Sequence, residues 1–361
     1  GDNGECQFRH ACTKDDGIEH LYLVRRKTAT YRQLVADGYK DKLLRPKSRA
    51  AIEAILRAEY VFLTHHPRWE YLGLSRRSWE YLANLVSART VTAFHGLVIP
   101  ALTNVARTSD NAELVFLASD FERRNLLAER YQFAEHQLKL TGHPRFDALR
   151  PDRAGFVLIA PTWRRDTVTG HGRRHEYPDF YSSEYYGIYN ELLSDGKWLG
   201  SLMSLGYSVK FLLHPVMSES MDHFGPYPGV DIIPGRAADY IELMSTADAM
   251  VTDYSGIGFD FAYTGKPLFY FQPPELPEHY AKSPVFDYER DGFGPVLATS
   301  NALKTALLTA AKDRFPQPEG YQARVEHFFA HRDHNNAERI YQTMLDSTNC
   351  AGGRPPCNPR A

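Results

Sequence analysis

The stretch that most constrains the fold of this chain is residues 249–271. An apolar run, Ala249–Val251, ends in the loop Thr252-Asp253-Tyr254-Ser255-Gly256. A short amphipathic stretch follows, stops at Gly265-Lys266-Pro267, and gives way to a second apolar run over 268–271. This order predicts a strand, a tight loop, a helix and a second strand. Such a loop lies at the unpaired N–H groups and positive dipole end of a helix, so it predicts an anion site for phosphate or diphosphate.

The same alternation of short apolar runs and helical stretches continues along the whole chain. The predicted strands are Tyr60–Leu63, Thr90–Phe94, Leu114–Ala118, Gln137–Leu140, Phe156–Ala160, Ser208–Leu213, Asp231–Ile233, Ala249–Thr252 and Leu268–Phe271. The predicted helices include Ser48–Ala58, Asp120–Tyr131, Asp239–Thr246 and Ile257–Thr264. Strands that alternate with helices indicate parallel sheets covered on both faces, so the expected fold class is α/β.

The two series of strands predict two Rossmann-like domains, and a chain of 361 residues is long enough for two full cores. Because the polar stretch Leu149–Gly155 separates the series, we place an N-terminal domain at 1–150 and a C-terminal domain at 151–346. Residues 347–361 are rich in Gly and Pro, and we expect a disordered tail there. The first residues resemble an entry into the middle of a fold, which indicates a fragment or a trimmed form of a longer protein.

Composition excludes several classes of protein. An apolar content of 43% with 13% aromatic residues excludes a disordered chain. The formal charge of −2 offers no basic field for nucleic acid, and no apolar run approaches the roughly 20 residues that span a bilayer. The spacings of Cys6, Cys12, Cys350 and Cys357 fit no standard zinc motif, and His65-His66 is not spaced for one helical face. We expect incidental thiols in a reducing compartment and no metal centre.

Polar motifs follow several of the predicted strands directly. In open parallel sheets, ligands bind at the carboxyl ends of the strands, so these motifs are the first candidates for a site. They are His95-Gly96, Pro161-Thr162-Trp163-Arg164-Arg165-Asp166, His214-Pro215, Pro234-Gly235-Arg236 and Asp253-Tyr254-Ser255-Gly256. Each signal alone is weak, because histidines and arginines also occupy strand ends for structural reasons. Their joint placement at strand ends favours a functional site.

At these positions the chain resembles a known family. The matching motifs are Phe94-His95-Gly96, Gly142-His143-Pro144-Arg145-Phe146-Asp147, Ala160-Pro161-Thr162-Trp163-Arg164, His214-Pro215, Thr252-Asp253-Tyr254-Ser255-Gly256 with Phe259-Asp260, and Gly265-Lys266-Pro267. Their order and spacing are similar to the CDP-glycerol glycerophosphotransferase family, the teichoic-acid and capsule polymerases and primases with a GT-B fold. The resemblance implies two Rossmann-like domains facing across a cleft. Gly256 departs from the family, which usually has a second Ser there, and Leu97–Pro100 lacks the Lys that commonly follows the His-Gly pair.

The resemblance implies a reaction in which an acceptor hydroxyl attacks the β-phosphorus of a CDP-linked polyol and CMP leaves. That chemistry needs a base, for which we choose His95, and groups that hold the diphosphate, among which we place His214. The other expected donor-binding residues are Arg164, Arg236, Asp253, Ser255, Gly256 and Ile257. Asp253 would repel phosphate, so we expect it to cap the turn or to orient a histidine or a ribose hydroxyl. Structural alternatives stay open for each: a packed histidine, a surface arginine, an ordinary capped turn.

The resemblance also implies the partners and the location of the protein. We expect a CDP-polyol donor, a lipid-linked or polysaccharide acceptor, no cofactor, metal-independent chemistry and no nucleic acid. The implied place is cytoplasmic, either peripheral at the inner face of the cell membrane or as a soluble enzyme that extends a capsule chain. Two other functions remain open: a GT-B glycosyltransferase or UDP-sugar epimerase, and a non-catalytic GT-B module that binds polymer.

Overall fold

A computed structural model describes residues 2–64, 68–101, 112–168, 176–177, 179–278 and 282–351. The predicted pair His65-His66, Cys357 and the tail beyond Ala351 lie outside these residues. The described residues form two compact units. The first contains residues up to His95, the segment that ends at Ala148, and residues from Ala330 onward. The second contains the short segment that starts at Gly96, and Leu149–Phe329.

The first unit is built on a four-stranded sheet whose strands run parallel in chain order. A separate parallel pair, β1 (Tyr22–Leu23) and β2 (Leu43–Leu44), precedes it. The strands of the main sheet are β3 (Tyr60–Leu63), β4 (Arg89–Thr92), β5 (Leu114–Leu117) and β6 (Leu138–Leu140). The described helices of this unit are Asn3–Ala11, Ala29–Ala36, Arg49–Arg57, Arg68–Leu72, Arg76–Leu82, Asp120–Leu126 and Asn336–Ala351. Val91, Phe116 and Ile340 pack together in the core beside the sheet.

The second unit is built on a six-stranded sheet in which every strand pair is parallel. Its strands are β7 (Phe156–Ile159), β8 (Ser208–Leu213), β9 (Val230–Pro234), β10 (Ala249–Thr252), β11 (Leu268–Phe271) and β12 (Val296–Leu297). The spatial order is β9-β8-β7-β10-β11-β12. Taken from β7 as strand one, this is the 3-2-1-4-5-6 order of a doubly wound dinucleotide-binding fold.

Helices cover the sheet of the second unit, and polar caps mark where several of them begin. The described helices are Glu184–Ser194, Gly196–Ser204, Tyr240–Thr246, Ile257–Ala262, Tyr288–Asp291, Ser300–Lys312 and Glu319–Phe328. Ser183 accepts a hydrogen bond from the backbone N–H of Tyr186, and Thr299 does the same for Ala302. These side chains satisfy N–H groups that the first turn leaves without an intrahelical partner. Four-residue strands such as β7, β10 and β11 are buried along their whole length, as expected of a sheet covered on both faces.

The predicted α/β class and parallel sheets are confirmed, and every predicted strand is present to within two residues at either end. The strands that sequence analysis missed, β1, β2 and β12, have two residues each, too few to show a hydrophobic period. The helix predicted to run to Thr264 ends at Ala262, and the one predicted to run to Tyr131 ends at Leu126. The change of unit between Ala148 and Leu149 falls at the start of the stretch predicted to hold the break.

The predicted C-terminal boundary needs correction. Residues from Ala330 belong to the first unit, not to a domain spanning 151–346. The reason is the helix Asn336–Ala351, whose Ile340 lies in the core of the first unit. The Asp147 carboxylate accepts the backbone N–H groups of Asn336 and Ala337 and so holds the start of this helix against the same unit. The helix also continues to Ala351, so the tail predicted from residue 347 begins later.

Candidate active site

The strand order of the second unit defines where a ligand is expected. Consecutive strands run from β7 through β8 to β9 on one side, and β10 lies against β7 on the other, with Val251 opposite Ile159. The strand order therefore reverses between β7 and β10. In open α/β sheets the ligand crevice lies at the carboxyl ends of the strands at such a reversal. The motif that follows β7 and the loop that follows β10, both predicted as site elements, flank this point.

A buried ion pair joins these two loops. Nη2 of Arg164 lies 2.8 Å from Oδ2 of Asp253, and the two side chains are 6% and 1% exposed. The other carboxylate oxygen of Asp253 accepts hydrogen bonds from the backbone N–H and the hydroxyl of Thr162, at 2.8 and 2.7 Å. Arg164 also donates to the carbonyl oxygens of Thr162 and Leu276. These contacts fix the β7 and β10 loops to one another.

This arrangement corrects two predicted donor-binding residues. Arg164 does not present its charge at the surface of the loop, because its guanidinium is buried against Asp253. Asp253 orients Arg164 and Thr162, where the sequence predicted a histidine or a ribose hydroxyl as its partner. A buried arginine and a buried carboxylate are stable in each other's presence, since each alone would lose its hydration without compensation.

The next residues of the β10 loop are more accessible. Ser255 and Ile257 are half-buried and Gly256 is exposed. The backbone of Gly256 is right-handed helical, at φ −57° and ψ −25°, and a Cβ placed on it would meet no atom within 4 Å. Neither strain nor crowding therefore requires glycine at this position. The helix that follows has six residues, so its dipole is weak, and the anion contacts expected at this loop stay a prediction.

His214 follows β8, the strand next to β7 in the sheet. Its backbone is extended, as the following proline predicts, and its Nδ1 accepts the backbone N–H of Val216 at 3.2 Å. Because Nδ1 accepts this hydrogen bond, the hydrogen of the neutral ring is on Nε2, which can act as a donor. The imidazole lies 6.1 Å from the ring of Trp163, so the predicted histidine and the β7 motif are neighbours. This geometry is compatible with the predicted role as a hydrogen-bond donor to phosphate.

Arg236 lies farther along the same edge, after β9. Its guanidinium forms an ion pair with Glu219, which belongs to the 3-10 segment Pro215–His223 that follows His214. The side chains of both residues are more than a third exposed, so this pair is open to solvent and to exchange with another anion. The predicted phosphate contact at Arg236 stays a prediction.

Two residues after β11 join the site and were missed by sequence analysis. Nε2 of Gln272 donates to the carbonyl oxygen of Asp253 at 3.0 Å and so supports the β10 loop from its other side. Glu278 is half-buried, and its burial, together with the charge of Asp253, raises the pKa of its carboxyl to about 7. Inspection of the chain after β11 would have pointed to Gln272, because β11 is the next strand beyond β10 in the sheet.

The first unit holds the predicted base, His95, just beyond the end of β4. The imidazole is 66% exposed, and its Nδ1 lies 3.3 Å from Oδ1 of Asp2. The backbone N–H of His95 donates to the carbonyl oxygen of Thr64, which follows the neighbouring strand β3. His95 is thus held by its backbone while its ring reaches solvent, as a base that must meet an acceptor hydroxyl requires.

The motif 142–147 after β6 has a structural role in the first unit. His143 is fully buried, and burial and the Arg145 guanidinium keep the pKa of His143 well below its usual range. Gly142 has φ +79°, and a Cβ there would lie 1.9 Å from Oδ1 of Asn336. The carboxylate of Asp147 accepts hydrogen bonds at the start of helix Asn336–Ala351, and Nη1 of Arg145 lies 3.2 Å from Nδ1 of His143.

Within the described ranges, no group of three or more His, Cys, Asp and Glu side chains is placed to hold a metal ion. Among the same residues, no helix is long and apolar enough to cross a membrane. Cys6 and Cys12 are free thiols.

Comparison with solved structures identifies the class of fold. The structure of the wall teichoic acid polymerase TagF covers 96% of this chain and 86% of its own, with a TM-score of 0.63 and 15% identity. A UDP-N-acetylglucosamine 2-epimerase covers 99% of this chain and 96% of its own, with a TM-score of 0.57 and 13% identity. At such low identity these likenesses show the fold alone, and the fold is GT-B.

Sequence comparison identifies the family. Residues 2–346 match the family described as CDP-Glycerol:Poly(glycerophosphate) glycerophosphotransferase, and the chain belongs to that family. The minor teichoic acid biosynthesis protein GgaB of Bacillus subtilis (strain 168) is 27% identical over 354 residues, which are 96% of this chain and 39% of GgaB. A teichoic acid poly(glycerol phosphate) polymerase of the same strain is 23% identical over 61% of this chain and 30% of its own length. The chain thus spans well under half the length of these relatives.

Proposed function

We propose that this chain transfers a polyol phosphate, glycerol phosphate first among the candidates, from a CDP-linked donor to a hydroxyl of a growing wall teichoic acid or capsule polymer. CMP is the other product. The observation that carries the proposal is the family match over residues 2–346, in a chain whose second unit places the polar β7 and β10 loops at the strand-order reversal. One solved form of TagF was soaked with CDPG, which supports a CDP-linked donor for a protein of this fold.

The proposed reaction is a direct displacement. The acceptor oxygen forms a bond to the β-phosphorus, the bond between that phosphorus and the bridging oxygen breaks, and CMP carries the electron pair away. His95 takes the hydroxyl proton, a role typically worth about 10²–10⁴ in rate. No covalent intermediate on the enzyme is needed, because positioning and electrostatic stabilisation supply most of the catalysis of phosphoryl transfer.

We assign the donor's diphosphate to the second unit. The Ser255 hydroxyl, the backbone at Gly256 and Ile257, and Nε2–H of His214 are the proposed hydrogen-bond donors. Arg236 would exchange its exposed partner Glu219 for a phosphate oxygen. Arg164 and Asp253 hold the loops in place without contacting the ligand. The proposal includes metal-independent turnover, and a strong dependence of the rate on magnesium added back after chelation would overturn that part.

An exposed apolar surface in the first unit supports a place at a membrane that carries a lipid-linked acceptor. On the helix Arg76–Leu82 and the turn after it, Tyr81 is 76% exposed and Leu85 is 73% exposed. Arg77 on the same helix is also exposed. Apolar and aromatic side chains beside a cation are the combination that binds the interface of an anionic bilayer.

The donor is tested by measuring CMP release from CDP-glycerol and CDP-ribitol, and nucleotide release from UDP-sugars, with a teichoic acid oligomer as acceptor. Turnover of CDP-polyols supports the proposal. Turnover of UDP-sugars alone would replace it with the glycosyltransferase or epimerase alternative, and no turnover with any donor would favour the polymer-binding module. The variant His95→Ala is expected to lose activity while CDP binding survives, and His136→Ala, at an exposed histidine of the same unit, is the matched control.

Membrane binding is tested by flotation with vesicles of phosphatidylglycerol and phosphatidylethanolamine. We expect the double variant Tyr81→Glu, Leu85→Glu to lose flotation. The matched control is Tyr181→Glu, at an exposed tyrosine of the second unit. Equal flotation of both variants and of the unchanged protein would remove the membrane surface from the proposal.

A further inference from the structure

We propose that Asp2 is the positioning residue of His95: its carboxylate holds the ring in the tautomer and orientation that leave Nε2 to accept the proton. The inference rests on the proposed function, which makes His95 the base. It assigns a role to a residue that sequence analysis did not place in the site.

The contact itself is a carboxylate beside a ring nitrogen. Oδ1 of Asp2 lies 3.3 Å from Nδ1 of His95. The same oxygen accepts the backbone N–H of Asn3 at 2.8 Å, as the cap of the helix Asn3–Ala11. The side chain of Asp2 is 25% exposed, whereas the imidazole is 66% exposed. The carboxylate is thus held in the protein while the ring it contacts reaches solvent.

Asn3 ties the start of this helix to the strand end that carries His95. Its side chain is fully buried, and Nδ2 donates to the carbonyl oxygen of Phe94, the residue before His95, at 2.8 Å. Its Oδ1 accepts the backbone N–H of Arg145 at 3.3 Å. Asp2 and His95 are therefore each one residue away from a hydrogen bond that links their two segments. The link through Asn3 thus keeps the side chains of Asp2 and His95 close to each other independently of their own contact.

This geometry has a chemical consequence. With the hydrogen on Nδ1 directed at Asp2, the lone pair of the neutral ring is on Nε2. When Nε2 takes a proton from the acceptor hydroxyl, the carboxylate stabilises the imidazolium that forms. The neighbouring His143 cannot share this role, because it is fully buried and burial together with the Arg145 guanidinium holds its pKa well below its usual range.

The decisive variant is Asp2→Asn. Asparagine is nearly the same size and also caps helices well, so the start of Asn3–Ala11 should survive. We expect kcat to fall about 10- to 100-fold, the KM for the CDP-linked donor to change less than about twofold, and Tm to stay within about 2 °C. Asp2→Glu should recover part of kcat. The matched control is Asp37→Asn, which removes a surface carboxylate from the same unit and should leave turnover unchanged.

A second readout separates this inference from the proposed function. The tautomer of the neutral His95 ring can be read from its ¹⁵N chemical shifts by NMR. The share of rings with the hydrogen on Nδ1 should fall in Asp2→Asn, because an amide oxygen is a weaker acceptor than a carboxylate. If no donor is turned over but the tautomer of His95 changes, the pairing stands and the proposed function fails. If the tautomer does not change, or Asp2→Asn turns over as fast as the unchanged protein, the inference is overturned.

Discussion

Nη2 of Arg164 and Oδ2 of Asp253 lie 2.8 Å apart in the interior of the second unit and join the loops that follow β7 and β10. Those loops flank the place where the strand order reverses, so this buried ion pair is one of the contacts that hold the candidate donor site together.

Asp253→Asn should therefore be strongly destabilising. The change leaves the buried Arg164 guanidinium without its counter-charge, and removing one partner of a buried pair typically costs about 3–5 kcal/mol. We expect the free energy of unfolding, measured by urea denaturation, to fall by that amount, and donor binding to weaken with it. Asp231→Asn makes the same change at an exposed position of β9 and should cost less than about 0.5 kcal/mol. Equal stability of the two variants would contradict the structural role of the pair.

Lys266 of the motif Gly265-Lys266-Pro267 should also act through stability and not through catalysis. Its side chain is 3% exposed, and Nζ donates to the carbonyl oxygens of Asp152, Met244 and Ser245 at 3.0, 2.9 and 2.6 Å. Lys266→Met leaves these acceptors without their donor, so we expect a loss of about 2–4 kcal/mol in urea unfolding.

The control for this prediction is Lys197→Met, which makes the same replacement at an exposed position. It should change the free energy of unfolding by less than about 0.5 kcal/mol. If the kcat of folded Lys266→Met were lost while its stability stayed unchanged, the assignment to stability would be wrong.

Gly256→Ser should leave the fold intact and change donor binding. A side chain is free of strain and of close contacts here, so we expect a Tm within about 1 °C of the unchanged protein. If the loop at Gly256 contacts the diphosphate, the added hydroxyl, which the family usually carries here, is a further hydrogen-bond donor and should lower the KM for the CDP-linked donor several-fold. Gly142→Ser is the contrasting case, since its positive φ and the nearby Asn336 oxygen should make it severely destabilising. A donor KM that Gly256→Ser leaves unchanged would place the diphosphate elsewhere.

Glu278 should make stability depend on pH near neutrality. Burial and the charge of Asp253 raise the pKa of Glu278 in the folded protein to about 7, from 4.5 for a solvated glutamate, so the folded protein binds the proton more tightly than the unfolded chain does. Its contribution to stability is therefore complete below about pH 4.5 and is lost as the pH rises through about 7.

In the variant Glu278→Gln the side chain is neutral at every pH, so this contribution to the pH dependence of stability is removed. We expect the Tm difference, variant minus unchanged protein, to become more positive between pH 5 and pH 8.5 in a thermal unfolding series. Glu275→Gln, at an exposed position three residues earlier, should show a flat difference over the same range. A flat difference for Glu278→Gln as well would mean that Glu278 ionises without penalty.

The local sequence pattern was sufficient to predict the main strands and to identify the family. The runs at Tyr60–Leu63, Ser208–Leu213 and Leu268–Phe271 predicted strands with the observed bounds. The last of these is buried on both faces, which leaves a continuous apolar signature. The position of His95 and His214 after strands followed from the same pattern. The motifs around these elements identified the family that the comparison confirmed.

The partners of the site residues were decided by the tertiary structure alone. Arg164 and Asp253 are 89 residues apart in the chain, and Asn3 and Phe94 are 91 apart. Which strand ends become neighbours depends on the order of strands in a sheet, and the spacing of apolar residues does not encode that order. For the same reason sequence analysis assigned Arg164 to phosphate, left Asp2 without a role, and placed the last helix in the wrong unit. Sequence by itself determined which side chains reach the strand ends; packing between distant segments decided which of them are buried in pairs and which remain accessible to a ligand.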